Sequence, residues 1–284
     1  MAGRFRRGWR LLEQSWRVLR ADPEMLVLAV AAVLVYGAVL AAFLLPGLLI
    51  DTTHSGGHTR IHTHYVWFVP MLLAMTIVGT FVAAAVVGMA SIRLEGGDPT
   101  LGDGLRMAIR RLPKLIGWSI FSATVGLVIR LVQERVPLAG QIAAAIAGIA
   151  WSLATLLVIP VLVMEDVGVG ESLKRSARLF KERWGEEVTG AGGIGLGLLV
   201  FFLPVMVVSG VVVAISPVAG IAMMAVGIGA LMVAAFTLNA IFTTALYRFA
   251  VAGEAKGPFT AEDMRAAFPE KRISLRRWWQ RRRR

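Results

Sequence analysis

Six long apolar runs, separated by short charged segments, make up most of this chain. They lie at about residues 25–49, 66–90, 115–133, 137–164, 188–215 and 217–247. About 20 apolar helical residues cross the roughly 30 Å hydrocarbon core of a bilayer, so each run predicts a transmembrane helix. The gaps at residues 134–136 and near 216–217 are short, which makes spans 3–4 and 5–6 tight hairpins. Spans 4, 5 and 6 exceed the needed length and predict tilt or a kink. Pro160 and Pro204, in spans 4 and 5, each remove a helix hydrogen bond and mark where a kink would fall, either for packing alone or to frame a solute path.

A short amphipathic segment precedes each pair of spans. In the first, Phe5, Trp9, Leu12, Trp16 and Leu19 recur at helical spacing, with Arg6, Arg10, Arg17 and Arg20 elsewhere around the wheel. The second follows Pro99 with a capping-box pattern, Thr100 to Asp103, and then sets Leu101, Leu105, Ala108 and Leu112 on one side. The third places Leu173, Ala177, Phe180 and Trp184 together. Leu101-Gly-Asp-Gly-Leu-Arg lines up with Val169-Gly-Glu-Ser-Leu-Lys, and Thr260-Ala-Glu-Asp-Met-Arg starts with the same cap. The unit is an amphipathic helix plus a hairpin, three times over, and either internal duplication or generic capping accounts for the shared strings. Such helices lie on an anionic inner leaflet or pack on the protein's own spans; both arrangements turn Trp and Leu inward and Arg outward.

Charge orients the bundle. Of 30 basic residues, 27 lie in the two tails and the 91–114 and 165–187 segments; Arg60, Arg130 and Arg135 are the other three. Basic residues in short loops stay in the cytoplasm, so both termini are expected there, in a multi-pass protein of the plasma (inner) membrane. Tyr65 and Trp67 at one end, and Trp118, Trp184 and Tyr247 at the other, suit interfacial belts, whereas Trp151 falls mid-span and suits packing. The first apolar run, at about 25 residues, is longer than the 7–15 of a cleaved signal peptide and reads as a retained anchor.

Composition adds limits. The 284 residues are 57% hydrophobic, with a mean hydropathy of +0.70, and only 17% are charged; a soluble domain carries about 25% charge. The absence of cysteine excludes disulfides, iron–sulfur clusters and thiolate zinc sites. The expected organisation is an amphipathic cytoplasmic helix over 1–24, a six-span domain over 25–250 and a basic cytoplasmic tail over 251–284. The fold class is all-α, a polytopic bundle of six transmembrane helices with cytoplasmic amphipathic interfacial helices.

Little in the chain points to catalysis. Gly190-Ala-Gly-Gly-Ile-Gly matches a dinucleotide loop literally but opens an apolar span, with no acid about 20 residues on. Small residues four apart, as in Ala84/Gly88, Ala144/Gly148 and Gly193/Gly197, suit close helix packing instead. The four histidines, His54, His58, His62 and His64, share one outer loop with Asp51, and imidazole is a common ligand for zinc, copper and nickel. The alternative is a flexible polar loop broken by Gly56 and Gly57. No Asp or Glu lies within the spans, which counts against proton-coupled transport. Ser119, Ser122, Thr155, Thr237, Asn239 and Thr243 are polar positions for interhelical bonding or a solute path, with Asn239 and Thr243 one turn apart. Glu165, Asp166 and Glu171 have no histidine near them in sequence, and neither a nucleophile elbow nor an HExxH motif is present. The protein is therefore expected not to be an enzyme and to need no cofactor.

The tail carries Arg276, Arg277, Trp278, Trp279, Arg281, Arg282, Arg283 and Arg284. Beside a membrane, such a run binds anionic headgroups at about 1 kcal/mol per basic residue, with the tryptophans inserted at the interface. A membrane-protein partner or a second copy is the next reading, and nucleic acid the least favoured.

Pro160-Val-Leu-Val-Met-Glu-Asp, Gly168, Glu171-Ser-Leu-Lys-Arg-Ser-Ala and Trp184-Gly-Glu-Glu together resemble a signature of uncharacterised six-span prokaryotic membrane proteins, a domain of unknown function. Arg6-Arg-Gly-Trp-Arg, Ser15-Trp-Arg-Val-Leu and Pro23-Glu fit the same group. It is distantly similar to the membrane domain fused to some glycerophosphodiester phosphodiesterases. The resemblance implies architecture and brings no catalytic residues. The function expected is a non-enzymatic membrane scaffold or assembly component that engages anionic lipid and partners on the cytoplasmic side. The alternative is a transporter or channel for a small or lipidic solute.

Overall fold

A computed structural model describes residues 2–53, 62–135, 138–184 and 194–265, and among these it is helical with no strand. In chain order the helices are α1 (Ala2–Ala21), α2 (Glu24–Thr53), α3 (His62–Leu94), α4 (Leu101–Arg110), α5 (Leu112–Arg135), α6 (Leu138–Thr155), α7 (Val158–Met164), α8 (Val169–Trp184), α9 (Ile194–Ile215), α10 (Pro217–Ala252) and α11 (Ala261–Arg265). Five segments are long and apolar enough to cross a membrane: Glu24–Phe43, Val69–Leu94, Leu112–Gln133, Ala144–Met164 and Pro217–Ala252. Phe201–Ile215, within α9, is a shorter apolar stretch.

Local sequence explains the boundaries. Thr100 caps α4: its hydroxyl accepts the Asp103 N–H at 3.2 Å, and the Asp103 carboxylate accepts the Thr100 N–H at 3.1 Å, the reciprocal box the spacing predicts. The cap's hydroxyl also donates to that carboxylate, chiefly for which reason the Asp103 carboxyl titrates below the usual carboxylate range. Only Ser216 separates α9 from α10, and Pro217 opens α10 at a position that needs no N–H. Gly253, with φ +77°, closes α10 in the left-handed conformation that glycine adopts without strain.

The packed centre is formed by the second half of α3, by α7 and by the second half of α10. Ala84, Val86, Met89, Leu157, Val161, Leu162, Ile241 and Leu246 are fully buried there. Around it the bundle presents apolar side chains outward, among them Leu34, Val128, Ile146, Leu203 and Val226.

The fourth apolar run is broken. α6 ends at Thr155 and α7 starts at Val158, two residues before Pro160. Proline has no N–H to bond the Leu156 carbonyl, and its ring crowds that turn. Ser176 of α8 enters the break, donating to the Ala154 carbonyl at 2.6 Å and accepting the Leu157 N–H at 3.1 Å. α9 runs as one helix through Pro204, which is exposed.

The connecting helices pack on the bundle in a way the apolar pattern alone did not predict. α8 buries Ser172, Ser176, Leu179 and Phe180, while Leu173 and Ala177 are half-buried. Its inward face is thus turned towards the serines, because those hydroxyls satisfy backbone groups. α4 inserts Gly104 and Ala108, the positions that align with Ser172 and Ser176. A Cβ on Gly104 would lie 2.7 Å from the Ala85 carbonyl, so α4 fits against α3 only with glycine there. In α1 the buried set is Leu11, Leu12, Gln14, Ser15, Val18 and Leu19, with Trp9 and Trp16 at its exposed edge. Trp9 stacks on Phe201 of α9 at 6.1 Å.

Two aromatic positions differ from the belt expectation. Trp118 is buried and stacks on Trp151 at 6.1 Å, joining α5 to α6. Tyr247 is also buried, hydrogen-bonded inside the bundle. Of the small-residue pairs, Ala84 is buried and Gly88 faces Met107 of α4, whereas a Cβ on Gly148 would meet nothing. Gly193 lies outside the described residues.

Candidate functional site

Charged side chains gather at one end of the bundle: the start of α2, the ends of α3, α7 and α10, and the start of α5. Between α1 and α2, Asp22 accepts from both Nε and Nη2 of Arg93, the latter at 2.7 Å. Arg93 also donates to the carbonyls of Ala21 and Gly97. With its carboxylate 6% exposed, Asp22 depends on this partner for neutralisation. Glu24 accepts the Leu101 N–H at 3.1 Å, tying the start of α2 to the start of α4.

A second cluster joins α7, α8, α10 and the end of α3. Glu165 accepts the Tyr247 hydroxyl at 2.9 Å and Arg175 Nε at 3.2 and 3.3 Å. The neighbouring Arg248 pairs with Glu95 at 2.5 Å, and its Nε is buried without a partner among the described residues. Arg183 donates to the Ala250 carbonyl at 2.9 Å and lies 5.9 Å from the Phe249 ring. Asp166 receives Lys114 at 2.5 Å and also Arg111. These two cations, the Lys114 hydrogen bond first, hold its carboxyl below the usual carboxylate range.

The arrangement is a set of paired charges that locks helix ends together. Both oxygens of Glu165 are engaged, and Asp166 is held by two cations. No group of three or more His, Asp or Glu able to hold a metal occurs among the described residues. Nothing in the sequence linked Tyr247 to Glu165 or Arg93 to Asp22, because the partners lie 82 and 71 residues apart. The available signal was a charge at the margin of nearly every apolar run.

The candidates from sequence are spread through the molecule. His54 and His58 lie outside the described residues, and His62 and His64 open α3. Arg276, Arg277, Trp278, Trp279, Arg281, Arg282, Arg283 and Arg284 also lie outside the described residues. Pro160 is buried at the start of α7. Thr243 is buried and donates to the Ala240 carbonyl at 3.1 Å, whereas Asn239 is exposed on the outer surface of α10.

No curated protein and no solved structure matches the chain. Residues 61–257, from the start of α3 to just past α10, match a family of unknown function. This chain, all-helical and with several helices of membrane-spanning length, belongs to that family, DUF6159.

Proposed function

We propose that the protein is a non-enzymatic scaffold or assembly component of the plasma (inner) membrane. It crosses six times with both termini in the cytoplasm, and it engages anionic lipid and partner proteins. The placement of polar groups in the spans carries this reading. The hydroxyls of Ser119, Ser122, Thr155, Thr237 and Thr243 bond carbonyls of their own helices. The Asn239 amide, nine residues before Arg248, sits about 14 Å along α10 from the charged end. It faces outward with Ala225 and Met232, seven residues apart from one another, and with open space at Gly229. An amide in hydrocarbon needs a hydrogen-bonding partner, so this face of α10 suits a helix of another protein or of a second copy. A transporter would place such an amide in an internal cavity; the feature that favours transport is the α6–α7 break, and there Ser176 fills the gap.

The ends of the helices support the six-crossing reading. α7 and α10 both finish in the charged cluster, through Glu165 and Arg248. A crossing by α9 away from that end would let α10 return to it. The cations there, Arg93, Arg111, Lys114, Arg175, Arg183 and Arg248, support a cytoplasmic orientation. In this reading the distant likeness to the membrane domain of glycerophosphodiester phosphodiesterases is one of architecture alone.

Two measurements test the proposal. Gly168 is exposed and open, so Gly168→Cys should resist an impermeant thiol reagent on intact cells while Ser55→Cys reacts; the reverse labelling would overturn the orientation. Copurification from the native membrane, compared with Asn239→Leu, should lose a defined protein partner or the second copy. Unchanged partners in that variant, or solute flux through reconstituted vesicles, would sink the scaffold reading.

A further inference from the structure

The corner between α4 and α5 packs beside α7 and leaves a cavity of about 300 Å³ lined by Met107, Arg110, Arg111 and Val163. This is near the small end of the roughly 300–1,000 Å³ range of ligand sites. Its walls have two characters. Met107 and Val163 are apolar, and Val163 belongs to the buried core. Arg110 and Arg111 supply guanidinium groups.

The two arginines are not equivalent. Arg111 is committed in part, since it shares Asp166 with Lys114. Two cations on one carboxylate leave a net positive charge. Arg110 is exposed, and no carboxylate pairs with it among the described residues. On the same helix, Asp103 is engaged by its cap and senses Arg106. The cavity therefore has an excess of guanidinium donors above an apolar floor, at the charged end of a membrane bundle.

We infer that this cavity binds a phosphate group, and that the phosphate is the headgroup of an anionic phospholipid. Guanidinium forks match phosphate oxygens in pairs, and basic pockets between spans on the cytoplasmic side take lipid headgroups. Met107 and Val163 would face the glycerol carbons, which inorganic phosphate lacks. The assignment to the inner leaflet rests on the orientation proposed above. The site is separate from the arginine tail and from the Asn239 face.

The test uses the full-length protein, so that the tail contributes equally to every sample. Arg110→Ala is compared with Arg178→Ala. Arg178 aligns with Arg110 in the repeated segment and is likewise exposed on α8, so it controls for general surface charge. Protein in detergent is loaded with phosphatidic acid or phosphatidylcholine, and retained lipid is measured by native mass spectrometry. Wild type should retain phosphatidic acid over phosphatidylcholine. Arg110→Ala should reduce that retention about fivefold, the effect of one basic residue at a charged surface. Arg178→Ala should leave it nearly unchanged, and both variants should unfold at the wild-type temperature. Equal retention by the two variants would overturn the site. Displacement of the lipid by millimolar inorganic phosphate would keep the phosphate chemistry and overturn the lipid as its source.

Discussion

Arg93→Ala should cost about 3 kcal/mol of stability, the lower end of the range for removing one partner of a buried ion pair. Arg93 is itself about a quarter exposed, which discounts the loss, but Asp22 is nearly enclosed. Without the guanidinium, a carboxylate remains at the α1–α2 junction with no cation in contact among the described residues, and the carbonyls of Ala21 and Gly97 lose a donor. Arg93→Lys keeps the charge and loses the fork that holds both carboxylate oxygens, so it should fall between the two. Thermal unfolding in detergent would measure the series. The decisive sample is the double variant with Asp22→Asn, which removes the stranded charge and should recover part of the loss. A double variant no more stable than Arg93→Ala would mean that the two groups are not coupled.

Ser176→Ala should destabilise by about 2–4 kcal/mol, since it strands one buried and one part-buried backbone group at about 1–3 kcal/mol each, the part-buried one at the low end. The Leu157 N–H and the Ala154 carbonyl lie in the break between α6 and α7, with no helical turn to satisfy them. In an apolar environment no water replaces the lost hydroxyl. Ser172→Ala is the matched control, because that buried hydroxyl bonds the Val169 carbonyl of its own helix; it should shift stability by less than about 1 kcal/mol. Equal unfolding temperatures for the two variants would show that Ser176 fills space without bridging the break. Ser176→Thr keeps the hydroxyl but adds a methyl at a fully buried position, so it should restore only part of the stability.

Much of the architecture could be read directly. Five of the six apolar runs become helical segments of spanning length, the fourth of them broken between α6 and α7, and the capping box at Thr100 forms as spaced. The alignment of Leu101-Gly-Asp-Gly-Leu-Arg with Val169-Gly-Glu-Ser-Leu-Lys has a structural counterpart, with Gly104 and Ala108 buried where Ser172 and Ser176 are buried. The functional groups were less legible. Tyr247 suited an interfacial belt, and its hydroxyl instead binds Glu165. Asn239 and Thr243 were paired by spacing, yet one faces outward and the other inward. In α8 the apolar positions Leu173, Ala177 and Phe180 suggested an inward face; Phe180 is buried as expected, but Ser172 and Ser176 are buried more fully than Leu173 and Ala177.

The division follows the range of the forces. Span length, the short gaps between apolar runs and the caps depend on neighbours in sequence and on the thickness of the bilayer. The sequence by itself therefore determined them. Which face of a connecting helix turns inward, which carboxylate meets which guanidinium, and whether an amide is enclosed depend on how distant helices dock. Within a membrane, apolar pattern does not choose among docking faces, because lipid tails are as apolar as leucine. Close steric fit and the need to satisfy buried polar groups make that choice. At Gly104, Ser176 and Asp22 the deciding partner comes from another helix, and only the tertiary structure brought it there.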